Sequence, residues 1–418
     1  MTVEKPSPKR WIILIAYMLL TLAVEGQWLA LAPVARPAER FYQSQIASGS
    51  LFGVDFLTMI YLLTYLVMSI PASRYLDRAG LRRGITLGAL LGSAGAILKA
   101  GGAGNYWVVL AGQTLLGIAQ PFILNAATTL AARWFPMGER ALAVGLGTLA
   151  QFLGFVLAMV LGPALVVGNP ALASYGSGVE LLLKVHCGFT LASAAFCIMF
   201  LADRGTAGEA AALAPPTPIR VLFRSPDFRL MLGIFAAGLG ILNALSGMED
   251  AVAAHVGAVT SDGMLGASLI GGGIVGAIAL PALSDFLHKR RPFLILCMCG
   301  MIPGVAGVAG MAWAGKVGAD PGTAYLLAKV ASGVLGFFLL GGGSIGFQYA
   351  AEVTHPAPEA TSQGLLLLAG QVTGIIFMVA MGRPALLGPV LVGFTTLAAL
   401  CGASSYFLKE SPLVGQRP

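Results

Sequence analysis

Twelve runs of about twenty or more mostly apolar residues follow one another along this chain, separated by short polar connections. A helix crossing the ~30 Å hydrocarbon core of a bilayer needs ~20 such residues. Backbone immersed in lipid must also satisfy its own hydrogen bonds, which favours helices over open sheet. The runs predict spanning helices at roughly 11–36, 50–74, 84–103, 106–133, 140–168, 179–202, 228–256, 263–287, 292–314, 323–351, 360–382 and 385–408. Only 10% of the 418 residues are charged, against ~25% in soluble domains. A water-soluble fold could not cover that much apolar surface. The predicted fold class is therefore all-α: a polytopic membrane protein with twelve transmembrane helices in two six-helix bundles. The 56 glycines fit this reading, because small residues let membrane helices approach closely. Gly271, Gly272, Gly273 and Gly276, and the run Gly341 to Gly343, lie inside apolar stretches and are expected at such crossings.

The longest polar connection, 203–227, holds Pro215, Pro216 and Pro218 and divides the runs six and six. The expected domains are an N-terminal bundle over 1–202, a linker over 203–227 and a C-terminal bundle over 228–418. Of the 25 Lys and Arg, 18 fall in connections on one side, from Lys5, Lys9 and Arg10 through Lys409 and Arg417. The positive-inside rule then places both termini in the cytoplasm, with a plasma or inner membrane as the expected location. The net charge of +7 comes from this placement, so no nucleic-acid partner is expected. The expected partners are the lipid bilayer and a small-molecule substrate, with the chain acting as a monomer.

The halves repeat each other. Pro136, Glu139, Gln151 and Gly154 recur as Pro356, Glu359, Gln371 and Gly374, each 220 residues later. Duplicated bundles place a solute site near the midplane at their interface and rock around it. A second repeat joins Asp77-Arg78-Ala79-Gly80-Leu81-Arg82-Arg83 after the second run to Asp285-Phe286-Leu287-His288-Lys289-Arg290-Arg291 after the eighth. This acid followed by a basic cluster resembles the cytoplasmic loop motif of the major facilitator superfamily. The usual glycine four residues before the aspartate is replaced by Ser73 and Pro281. The resemblance implies a major facilitator fold and a conformational latch built from Asp77, Arg78, Arg82, Asp285 and Arg290. Ordinary positive-inside charge would explain the arginines but not the repeated aspartate.

Ionisable groups inside spans are candidates for function, because burying them in hydrocarbon costs several kcal/mol. Glu25 lies three residues before Trp28, on the same helix face. Glu249 and Asp250 lie late in the seventh run, whose repeat partner is the first. Glu25 and Glu249 could therefore face each other across a central cavity, where they would suit a cationic amine or a proton relay. The alternative places Glu249 and Asp250 at a solvated outer mouth. Gln113, Gly117 and Gln120 share a face of the fourth run, and Pro121 beside them removes a backbone donor. Asn125, Gln151, Gln348 and Tyr349 are further polar groups at membrane depth, each able either to meet solute or to tie helices together. Lys329 and Lys184 are the only internal cations open to an anion carrier, but Lys329 lies near a helix end and is read as reaching out to the headgroups. The five cysteines and four histidines form no metal-ligand spacing. No phosphate-binding GxxxxGK[ST] occurs, and no nucleophile–base pair is readable. The expectation is no enzyme, no cofactor and no metal.

Several stretches narrow the resemblance. They are Gln27-Trp28; Val54-Asp55-Phe56-Leu57 with Tyr61 and Leu63-Thr64-Tyr65; Ala119-Gln120-Pro121-Phe122-Ile123-Leu124; Trp134-Phe135; and Glu352-Val353-Thr354-His355-Pro356 with Gln371 and Gly374 beyond. Spread over both halves, they resemble the feline leukaemia virus subgroup C receptor family of facilitator-type transporters, here as a bacterial-type member. The resemblance implies transport of a small polar organic solute by alternating access. Family members are linked to choline and ethanolamine, and in older proposals to haem. It also implies a choline pocket with a tryptophan of span one, a glutamine of span four, a tyrosine of span seven and a glutamine of span eleven. Trp28, Gln120 and Gln371 match by motif. The tyrosine's place falls at Gly247 or a neighbour, so one aromatic wall is absent. The substrate-facing set expected is Trp28, Gln120, Gln371, Glu25, Glu249, Asn125 and Gln151, around an amine or choline-like cation carried by a uniporter or other secondary transporter. A monocarboxylate, organic-anion or haem-related transporter is the alternative, and a non-transporting receptor or sensor a third reading.

Overall fold

A computed structural model describes residues 9–46, 52–136, 139–202, 222–314, 320–354 and 359–411, except the side chains of Asp77, Ala141, Ala314, Glu359, Ala360 and Thr361. Most of the connection at 203–227 lies outside the described residues, as do Pro356 and His355 of the repeat. The described residues form helices and no strands. Twelve of the helical segments are long and apolar enough to cross a membrane. All twelve coincide with the runs expected from sequence, because run length against bilayer thickness is a direct constraint.

Chain packing divides into two compact units. The first contains α1 (Lys9–Trp28), most of α2 (Ala35–Tyr42), α3 (Asp55–Ala79), α4 (Leu81–Gly101), α5 (Tyr106–Leu124), α6 (Ala127–Trp134), α7 (Arg140–Leu165) and α8 (Val179–Phe200). The second contains α9 (Pro226–Gly247), α10 (Glu249–His255), α11 (Met264–Phe286), α12 (Arg291–Ala314), α13 (Pro321–Thr354), α14 (Glu359–Met381) and α15 (Pro384–Ser405). It also takes the short segments Ala32–Arg36 and Gly168–Ala171.

Three spans are interrupted where the sequence reads as continuous. The first stops at Trp28, passes through a 3-10 turn at Ala32–Val34 and resumes as α2. The fourth stops at Leu124 and resumes as α6 after Asn125 and Ala126. The seventh ends at Gly247, and Met248 leads into the seven-residue α10. A polar residue predicted to face solute sits in or beside each interruption: Trp28 and Glu25, Asn125 and Gln120, and Glu249. Interrupted helices are tolerated at membrane depth only where protein or a polar cavity takes up the freed backbone groups.

The turn between α3 and α4 is shorter than a loop reading suggests. It consists of Gly80 alone, at φ +90, with its N–H donated to the Leu76 carbonyl at 3.1 Å. Glycine adopts that left-handed backbone without steric penalty. Helix starts are capped where the chain is polar. Asn105 accepts from the N–H groups of Trp107 and Val108 at the head of α5. Asp320 accepts from the N–H and hydroxyl of Thr323, both at 2.8 Å, at the head of α13. Those two donors hold its carboxyl below the usual carboxylate range.

Candidate functional site

In the first unit, Tyr17, Thr21, Glu25 and Trp28 are buried along one stripe of α1. Glu25 is 2% exposed and makes no ion pair among the described residues. Its hydrogen-bond donor is Gln120 of α5, whose amide nitrogen lies 2.9 Å from Oε1. The amide oxygen of Gln120 is buried with no partner. A buried carboxyl group beside an unpaired acceptor leaves hydrogen-bonding capacity unmet, an arrangement that costs free energy unless a donor arrives. Close packing brings these groups together. Gly154 of α7 lies so near α1 that a Cβ there would stand 2.5 Å from the Leu22 carbonyl and 3.0 Å from Glu25 Cβ.

Trp28 donates its indole N–H to the Thr58 carbonyl at 3.0 Å. Its ring stacks on Tyr61 at 6.1 Å between centroids and meets the edge relation of Phe155 at 5.2 Å. Tyr61 is fixed by donating to the Val24 carbonyl at 2.9 Å. Phe155 was not singled out from sequence. It lies four residues after Gln151 on α7, a spacing that puts both on one face, and Gln151 is half-buried. Asn125 is engaged within the first unit: it accepts from the Tyr65 hydroxyl at 2.9 Å and donates to Ser69 and Ser73. These bonds tie the interruption after α5 to α3.

In the second unit Gln371 is half-buried and accepts from the amide of Asn243 at 3.2 Å. Asn243 was missed in the sequence, where an asparagine in an apolar run carries no charge to flag it. The repeat gives it meaning. A Cβ on Gly374, the copy of Gly154, would stand 2.9 Å from Asn243 Cβ, as one on Gly154 would stand 3.0 Å from Glu25 Cβ. Asn243 is thus the positional counterpart of Glu25 in the second unit. Glu249 lies further along, in α10. It accepts the Gly266 N–H near the head of α11 at 3.3 Å, and its second oxygen is buried without a partner. Asp250 is not solvated. It is fully buried and paired with Arg36 at 2.8 Å.

The lysines of the spans differ in burial. Lys184 forms an exposed pair with Glu180, and Lys329 lies over the Tyr325 ring at 4.7 Å. The lysine that is buried is Lys99 of α4, 2% exposed. Position near a span end gave no means to separate a lysine that reaches out to the headgroups from one turned inward. Of the loop-motif residues, Arg290 pairs with both Asp285 and Glu352 and is 5% exposed. In the first copy Arg78 and Arg82 are exposed, and the Asp77 side chain lies outside the described residues.

Comparison with known proteins agrees with this architecture. Residues 13–379 match the Major Facilitator Superfamily. The chain is 30% identical over 399 residues to solute carrier family 49 member A3 of Danio rerio, covering 89% of this chain and 78% of that one. It is 29% identical over 399 residues to the choline/ethanolamine transporter FLVCR1 of Felis catus, covering 90% and 68%. An uncharacterized MFS-type transporter of Caenorhabditis elegans is 28% identical, covering 91% of this chain and 66% of its own length. Among solved structures, a D-xylose-proton symporter superposes with a TM-score of 0.76 at 13% identity, covering 97% and 99%. A bacterial homologue of the lysosomal transporter Spinster gives 0.65 at 15%, covering 96% and 95%. At such identities the structural likeness speaks for the fold alone. The match along most of its length, the twelve spans and the all-helical fold establish that this chain belongs to the major facilitator superfamily of membrane transporters, and that within it the chain resembles the feline leukaemia virus subgroup C receptor group.

Proposed function

We propose that this protein carries a small protonated amine across the membrane by alternating access. The observation that carries the reading is Glu25: a buried carboxylate without a cationic partner, held by Gln120, whose own amide oxygen is also unanswered. Two acceptor groups side by side suit a ligand with N–H donors. Trp28, three residues on, adds an aromatic face of the kind that attracts cations, backed by Tyr61 and Phe155. The named relatives include choline/ethanolamine transporters. Of those two solutes, ethanolamine brings three N–H donors and choline none. With glycine near the place of the family's span-seven tyrosine, the residues favour the primary amine over the quaternary one. Within the second unit we assign Gln371 with Asn243, and Glu249, as polar groups offered to solute, and within the first unit Gln151.

The same reading keeps the organisation expected from sequence: bundles over 1–202 and 228–418, a cytoplasmic linker, both termini in the cytoplasm of a plasma or inner membrane, and a monomer. Arg290, with Asp285 and Glu352, is proposed as the working latch, and Asp77, Arg78 and Arg82 as its counterpart.

Thermal unfolding of the purified protein tests the substrate class. Ethanolamine is expected to raise the midpoint more than choline at equal concentration. Trp28→Ala and Glu25→Gln are each expected to remove that shift while leaving the unliganded protein folded. A larger shift with choline than with ethanolamine would overturn the N–H argument. Stabilisation by carboxylates alone would move the protein to the organic-anion reading.

A further inference from the structure

The end of α1 poses a problem of its own. The last four carbonyls of any helix lack intrahelical donors, and at membrane depth water does not supply them. Here two of them are answered by side chains from neighbouring helices. Lys99 Nζ of α4 donates to the Gln27 carbonyl at 3.1 Å. Gln113 of α5 donates its amide to the Gln27 carbonyl at 3.4 Å and the Trp28 carbonyl at 3.2 Å. Lys99 Nζ also donates to the side-chain oxygens of Gln27 at 3.0 Å and Gln113 at 2.6 Å. Close contact of α4 and α5 makes this reach possible: a Cβ on Gly112 would stand 2.7 Å from the Gly95 carbonyl and 2.8 Å from the backbone nitrogen of Lys99.

The count of acceptors suits a charged lysine. Three oxygens surround Nζ, and an ammonium has three donors. A neutral amine has two, and its lone pair would point at an oxygen. The two amides are oriented by their other bonds. Gln27 donates its nitrogen to the Thr190 hydroxyl at 3.1 Å, which in turn donates to the His186 carbonyl at 2.8 Å. Gln113 spends its nitrogen on the two carbonyls. Both amide oxygens are therefore left for Lys99. Among the described residues Lys99 forms no ion pair, so its charge is balanced by amide and carbonyl dipoles and by the negative end of the α1 macrodipole.

Transport proteins with interrupted helices use half-helix C-terminal ends and unwound carbonyls to hold coupling cations such as Na⁺. In this chain a covalently attached ammonium stands at such an end. We propose that Lys99 is a positioning residue, a tethered cation that closes the C-terminal end of α1 and thereby holds Trp28 and Glu25 in place for solute, without an added metal ion at that end. The claim rests on the reading of Trp28 and Glu25 as solute-facing. Lys99 itself does not touch the solute; it acts through the α1 backbone.

The test uses the full chain with Lys99→Met and reads amide hydrogen exchange of residues 25–31 together with ethanolamine affinity. Exchange in that segment is expected to rise about tenfold or more, and affinity to fall by about tenfold, as preorganisation is lost. Methylammonium at millimolar concentration is expected to restore the protection in Lys99→Met, and equally in Lys99→Met combined with Glu25→Gln, which lacks the solute carboxyl. Tetramethylammonium, which has no N–H, is expected to restore nothing. Unchanged exchange in Lys99→Met overturns the proposal, and so does raised exchange that methylammonium fails to reverse. Equal ethanolamine affinity in variant and wild type overturns the positioning role. Should Lys99→Met fail to fold, Gln113→Met carries the same test: protection at 25–31 is expected to drop, and unchanged protection overturns the clamp. Failure of ethanolamine to bind the wild type, with the exchange results as expected, would remove the amine reading and leave the clamp standing.

Discussion

Asp250 illustrates how one buried charge is made tolerable. Arg36 gives it two guanidinium bonds, at 3.0 and 2.8 Å, and its own backbone N–H at 2.6 Å. A further guanidinium nitrogen donates to the Ala258 carbonyl at 3.2 Å. Removing one member of such a buried pair leaves the other uncompensated, a change typically worth ~3 kcal/mol or more. Arg36 is 29% exposed, so water offsets part of this. Arg36→Met is expected to lower stability by roughly 2–3 kcal/mol, and adding Asp250→Asn to recover most of the loss. Thermal or denaturant unfolding of the two variants checks this; no recovery in the double variant would mean that Arg36 acts by packing. Glu249 next to it forms no ion pair among the described residues, and accepts a helix N–H instead. The two adjacent acids therefore have different partners, and only the tertiary structure tells them apart.

At the level of elements, the glycine-rich segments divide into those that set a crossing and those that do not. Gly276 of α11 faces α13 so closely that a Cβ would stand 1.8 Å from the Phe337 carbonyl, a backbone atom that cannot swing away. Gly271, one and a half turns earlier, meets nothing within 4 Å. Gly276→Ala is expected to destabilise by about 1–3 kcal/mol through forced separation of the helices. Gly271→Ala is expected to be neutral or to stabilise by up to ~1 kcal/mol, since alanine is the better helix former. Paired melting curves distinguish them, and equal effects would remove the crossing argument. The glycine-rich composition announced close helix packing; which glycine stands at a contact depends on helix phase, which a run of small residues does not reveal. The interruptions behave likewise. Pro121 marks one of them, but α1 stops at Trp28, ahead of Pro33, where side chains of α4 and α5 take the freed carbonyls.

At the scale of the whole molecule, the membrane arrangement we propose from twelve spans and the lysine–arginine bias can be checked directly. With both ends cytoplasmic, a fluorescent protein fused after Pro418 is expected to fluoresce in a bacterial host, and alkaline phosphatase at the same place to be inactive. Fusions after Asn169, between α7 and α8, are expected to give the reverse. The opposite pattern would invert the topology and move the arginine clusters outside. The repeat at an offset of 220 residues has a physical content too: in each unit its glycine seats the fifth span against the first, at Glu25 in one and at Asn243 in the other.

Run length, charge placement and the internal repeat determine by themselves that this chain is an all-helical, twelve-span membrane protein of two related halves, because bilayer thickness and the cost of unpaired backbone leave few alternatives. Motif residues led to the family and to Trp28, Gln120 and Gln371 as candidates. Tertiary structure alone decided which polar groups meet. It joined Glu25 to Gln120, turned Lys99 inward onto Gln27 and Gln113, gave Asp250 to Arg36, and set Asn243 rather than a charged residue opposite Gly374. A sequence lists polar residues at membrane depth but not the rotation of each helix about its axis, and that rotation decides whether a side chain faces lipid, a neighbour or a solute.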